Sequence, residues 1–92
     1  MIVRILHEGQ YAVDDALLDE LNRLDDALSA ALDGSDDDAF GSAVAGLVAR
    51  VRESGSPLPA EELRPSDAVI PGEGATRDEV REILTDEGVI PG

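Results

Sequence analysis

The sequence predicts an α+β fold. It reads as an N-terminal β-hairpin, an antiparallel α-hairpin, a third short helix and short edge strands near the C-terminus. Three observations point there. A β-branched apolar run opens the chain and a second short run follows a turn. Two longer segments then repeat apolar residues at steps of three and four. Beyond them, Pro and Gly separate short Val-Ile pieces from one more amphipathic stretch. The expected organisation is one small acidic domain over residues 1–92. Its parts are a β-hairpin (1–13), an α-hairpin (14–54), a linker with a short strand (55–75), and a third helix with a C-terminal segment (76–92).

Residues 2–6 alternate Val3 and Ile5 on one face with Ile2, Arg4 and Leu6 on the other. Gln10, Tyr11, Ala12 and Val13 form the second strand after a three- or four-residue loop, with Gly9 at the left-handed position. Asp14 is the expected cap of the first helix, and Asp15 adds charge suited to that end. Leu17, Leu21, Leu24, Leu28 and Ala31 follow steps of 4, 3, 4 and 3, a single stripe widened by Leu18 and Leu32. Asp19, Asn22, Arg23, Asp25, Asp26 and Ser29 fall off it. Gly34 suits the C-terminal cap.

Ser35, with Asp38 three residues on, resembles a capping box for the second helix. Phe40, Val44, Leu47 and Val51 repeat the stripe, and Val48 adds to it. Two helices of about 18 residues, each ~27 Å long, joined this tightly must run antiparallel. Pro57 and Pro59 hold Leu58 in an extended linker, residues 60–63 suit one helical turn, and Ala68, Val69 and Ile70 form a third strand. Thr76 and Glu79 make a capping box for the last helix, whose inward residues are Val80, Ile83 and Leu84 and whose stop is Gly88. The tetrapeptide VIPG at 69–72 recurs at 89–92 without repetition between the copies, so it reads as shared edge-strand or docking chemistry rather than duplication.

Composition narrows function. There are 21 acids against 7 bases, all Arg, for a net charge of −14. Such a chain repels phosphate, which argues against nucleic acid and anionic bilayers as direct partners. The lack of Lys also fits a GC-rich coding sequence. No Cys is present, which removes disulfides and thiolate metal sites. No apolar run approaches the ~20 residues that span a bilayer, and the opening run is too short for a signal peptide. A cytoplasmic protein is expected, not itself inserted in a membrane.

No constellation promises catalysis, a cofactor or a metal. The acids from Asp33 to Asp38 miss the calcium-loop frame, which would put Gly at position 6 and Glu at position 12. They are better read as neutralising the start of the second helix. His7 stands alone beside Glu8 in a turn. No nucleophile elbow or phosphate loop occurs, and the acid inside Gly72-Glu73-Gly74 would repel phosphate. The helix stripes read first as this domain's own core, with part left for a partner helix. Arg50, Arg52, Arg77 and Arg81, with Val89 and Ile90, are the candidate partner contacts.

M-I-V-R-I-L-x-E-G-Q-Y at the start, L-P-x-x-E-L-x-P-S-D in the middle and E-V-R-x-x-L-x-x-E-G-x-I-P-G at the end resemble the PspA-associated protein family, the PspAA domain, along the whole chain. The resemblance implies a small non-enzymatic partner or regulator of phage shock protein A, a coiled-coil protein of the envelope-stress response. It transfers no active-site residue. One rival is a self-associating homodimer through the helix faces. Another is a ligand-sensing or enzymatic domain, which would present a defined polar pocket near His7 and Tyr11.

Overall fold

The computed structural model describes residues 1–62 and 64–83. The end of the turn at 60–63, Leu84, the stop at Gly88 and the second VIPG copy lie outside the described residues. The fold is α+β, in the order β1 (Ile2–Ile5), β2 (Gly9–Ala12), α1 (Leu18–Asp33), α2 (Asp37–Ser54), β3 (Ser56–Pro57), β4 (Ala68–Ile70) and α3 (Arg77–Ile83). The strands form one 4-stranded sheet of order β3-β2-β1-β4. β2 is antiparallel to both neighbours, whereas β4 runs parallel to β1 with Val3 opposite Ala68 and Ile5 opposite Ile70.

Alternation along the strands decides the faces. Val3, Ile5, Ala68 and Ile70 are buried on the helix side and pack with Val13. From α2 come Phe40, Val44, Leu47, Val48 and Val51, every member of its expected stripe, and α3 contributes Val80. Ile2, Arg4 and Leu6 occupy the opposite face, as their alternation requires.

Several local expectations are corrected. Gly9 has the positive φ expected of it, at 150, but it is not alone: His7 (φ 67) is a second positive-φ residue of the hairpin, which the sequence did not flag. The reason is the turn: Glu8 N–H donates to the Ile5 carbonyl at 3.0 Å, so the chain turns over at His7, one residue after Leu6. Asp14 caps a short 3-10 turn, Asp15–Leu17, by accepting from Ala16 N–H at 2.8 Å, and α1 begins only at Leu18. Ser35 is not the cap of α2. Asp36 is, since its extended backbone lets Oδ1 accept from Asp38 N–H at 3.0 Å and Ala39 N–H at 3.1 Å.

The buried line of α1 is Leu21, Asp25, Leu28 and Leu32, with Leu17, Leu18, Leu24 and Ala31 half-buried beside it. Asp25 therefore lies on the inward face, with 7% of its surface exposed, and not off the stripe. Both α2 and α3 pack on α1, and this widens its covered face past the Leu17-to-Ala31 line. The linker also holds a strand that the prolines concealed: Ser56 and Pro57 pair with Ala12 and Tyr11. A proline suits this outermost position because no ladder donor is required of it.

Two glycines are forced by close approach. A Cβ on Gly72 would lie 2.6 Å from the Leu6 carbonyl oxygen, and one on Gly55 would lie 2.7 Å from that of Val51. Gly72 thus brings the loop after β4 against the hairpin turn. Thr76 and Glu79 form the expected capping box: Thr76 N–H donates to Glu79 Oε1 at 3.3 Å, and Glu79 N–H donates to Thr76 Oγ1 at 3.2 Å.

Candidate functional site

Gly72 and the hairpin turn frame a cleft of about 430 Å³ lined by Leu6, His7, Glu8, Arg52, Gly72, Glu73, Gly74, Ala75 and Glu79. This is the polar pocket that a ligand-binding domain would present, and it opens beside His7. Tyr11 does not line it; its hydroxyl donates to Glu8 Oε2 at 2.6 Å.

Glu8 is the hub. Arg52, brought across from α2, donates from Nε to both Glu8 oxygens at 3.1 Å and from Nη2 to Oε1. The same guanidinium reaches Glu73 at 3.5 Å from the far wall. The bonds from Arg52, then from Tyr11, hold the Glu8 carboxyl at about 2, against an ordinary 4.5. The Glu8 bond in turn pushes the Tyr11 phenol and the Arg52 guanidinium above their ordinary ranges. Chemically the cleft holds three carboxylates and one guanidinium already shared between two of them. Its charge disfavours phosphate. Glu79 is held by its cap, and no group of three or more His, Asp or Glu among the described residues is placed to hold a metal ion.

The four arginines singled out in the sequence do not gather in one place. Arg50 Nε donates to Glu20 across the α-hairpin at 2.8 Å, which lowers the carboxyl of Glu20 and raises Arg50. Arg52 closes the cleft. Arg81 pairs with Asp78 one turn earlier on α3, at 3.3 Å.

Arg77 is a clasp. Its Nη1 donates to the carbonyls of Ala31, Leu32 and Gly34 at 3.0, 2.9 and 3.1 Å, where α1 ends and its own carbonyls lack helical partners. Its Nη2 reaches Asp37 at 3.0 Å, and the guanidinium lies 4.9 Å from the centre of the Phe40 ring. Val89 and Ile90 lie outside the described residues.

Glu8 and Gln10 carry more than the sequence suggested. Gln10, 8% exposed, donates from Nε2 to the Arg64 carbonyl at 2.6 Å and to Ser66 Oγ at 2.8 Å. It pins the connection from β3 to β4 against the outer face of the sheet. A polar residue inside a strand was the available signal, but its partners lie more than 50 residues away.

The fold and cleft define a class: a small acidic α+β protein with a half-covered sheet, whose arginines mostly bind its own carboxylates. Within that class, the chain belongs to the PspA-associated protein family, whose model matches residues 1–92, the full length. No curated protein and no solved structure matches it. No helix among the described residues is long and apolar enough to cross a membrane.

Proposed function

We propose that this chain is a non-enzymatic protein-interaction module, a partner or regulator of phage shock protein A in the cell-envelope stress response. The family match over residues 1–92 carries this reading. Two physical features support it. The polar groups of the His7 cleft are largely committed to one another, and the exterior carries most of a net charge of −14. Such a surface attracts a partner with basic residues and avoids a bare anionic bilayer. In this reading the protein reaches the membrane periphery through its partner.

The interface proposed from the sequence includes Arg50, Arg52, Arg77 and Arg81. Of these, Arg81 is the most exposed, at 58%, and Arg77 the least, at 21%. Arg81, whose pair with Asp78 is the most exposed of the four, exchanges its carboxylate at least cost. Isothermal titration of the chain against purified phage shock protein A tests the proposal. Binding that weakens as salt rises is expected. No heat and no co-elution at low salt and tens of micromolar would refute it.

One observation favours a second reading, self-association through helix faces. The leucine and valine stripes lie in the core, and between the charged ends of α2 (Asp37, Asp38, Arg52 and Glu53) its exposed residues are small: Ala39, Gly41, Ser42, Gly46 and Ala49. A Cβ on Gly41 or Gly46 would meet nothing within 4 Å, so this fold does not require either glycine. Small residues allow another helix to approach closely. Light scattering separates the readings: a stable dimer without affinity for phage shock protein A would select this one.

A further inference from the structure

The sheet carries a surface that neither reading assigns. β1 and β4 are parallel, and parallel pairs ordinarily have apolar layers on both faces. Here the helices cover one. On the other, Ile2 and Arg4 of β1 line up beside Val69, which stands opposite Arg4 in the ladder; Leu6, the first residue after β1, continues the row, its N–H donating to the Ile70 carbonyl at 3.1 Å. Ile2, Leu6 and Val69 are partly exposed and Arg4 is exposed. The connection held by Gln10 crosses beside them and, with Arg4, walls a cleft of about 300 Å³.

Arg4 is distinguished by its setting. Arg50, Arg52, Arg64, Arg77 and Arg81 each hold a carboxylate of this chain. Arg4 and Arg23 have no hydrogen bond or ion pair among the described residues, although acids outnumber bases 21 to 7. Arg23 is a solvent-exposed residue of α1, whereas Arg4 stands between partly exposed apolar residues. Glu8 lines the same cleft, but its oxygens are held by Arg52 and Tyr11. The result is an unpaired cation in the middle of an apolar row.

We propose that Ile2, Arg4, Leu6 and Val69 dock an amphipathic helix of the partner protein, and that a carboxylate within its apolar stripe pairs with Arg4. The inference rests on the reading of this chain as a partner of phage shock protein A and names the face and its chemistry. From Ile2 to Leu6 the row is ~13 Å long, about two and a half turns of helix. Apolar contacts one turn to either side of a central acid fit that length. A second copy fits poorly: a two-fold contact would set Arg4 against Arg4 and bring together two chains of charge −14.

The experiment titrates phage shock protein A with the full chain and with Arg4→Glu, Arg4→Gln and Ala27→Glu, the last on the exposed side of α1. Thermal melts by circular dichroism accompany each variant; R4E and R4Q should melt like the parent because Arg4 has no partner to lose. Expected are a loss of affinity of about 10-fold or more for R4E and about 3-fold for R4Q, with A27E unchanged. If R4E lowers the melting point, R4Q decides. If the parent binds and both Arg4 variants bind equally well, the inference fails and the functional reading stands. If the parent does not bind, both fail. If light scattering shows a dimer of the chain alone that R4E disperses, the occupant is a second copy and the inference is overturned.

Discussion

Replacing Arg77 with Met removes the guanidinium and keeps most of the aliphatic stem. Nη1 carries two hydrogens, so its three carbonyl contacts amount to two charge-assisted bonds. Such bonds contribute about 1.5 kcal/mol each; with the side chain 21% exposed, water reaches the freed carbonyls, and about 1 kcal/mol each is the better figure. Stacking on Phe40 adds ~0.5 kcal/mol. The Asp37 pair adds at most ~0.5 kcal/mol, since that carboxylate is 91% exposed. The expected destabilisation is therefore about 2.5 kcal/mol. In a domain of this size that lowers the melting temperature by roughly 10–20 °C. Urea unfolding followed by far-ultraviolet circular dichroism measures it, and Arg77→Lys should recover part of the loss. A change below about 0.5 kcal/mol would refute the reasoning. The end of α1 would then be satisfied by solvent, and Arg77 would be a surface cation at a partner's disposal.

The other predictions concern the turn, the helix start and the glycines. Glu8 is depressed to about 2, so it stabilises the fold fully above its ordinary 4.5, and that contribution is lost as pH falls toward 2. Carbon-detected NMR of the Glu8 carboxyl should give a midpoint near 2 that rises toward 4.5 in Arg52→Gln; an unmoved midpoint contradicts the assigned cause. Asp36→Ala should cost about 1 kcal/mol and Ser35→Ala less than ~0.5 in urea melts, with the reverse order expected if Ser35 were the cap. Gly72→Ala should destabilise by about 1–3 kcal/mol because a backbone oxygen cannot swing aside, while Gly41→Ala and Gly46→Ala should each stabilise by up to ~1 kcal/mol. Equal effects at the three glycines would remove the distinction.

Local signals in this sequence were readable where one segment decides its own conformation. The 4 and 3 steps from Phe40 to Val51 and the Thr76–Glu79 cap require no distant partner, and both are present. Signals failed where a distant neighbour decides. Ser56 and Pro57 are a strand only because β2 offers an edge, and Asp25 is buried in line with Leu21, Leu28 and Leu32 on a helix that both α2 and α3 pack against. Choosing between Ser35 and Asp36 turned on a single residue of offset in the connection. At the site, an arginine among 21 acids has too many possible partners for sequence to select one. The pairing of Arg52 with Glu8 spans 44 residues and leaves no local trace.

The parallel ladder that sets Val3 against Ala68 also orders the molecule in time. A ribosome adding ~5–20 residues per second delivers β1 several seconds before β4 exists. During that interval one flank of β1 has open donors and acceptors and no strand to close them. Nascent chains halted before residue 68 should expose that flank to pairing with one another, a hazard that ends when Ala68, Val69 and Ile70 arrive.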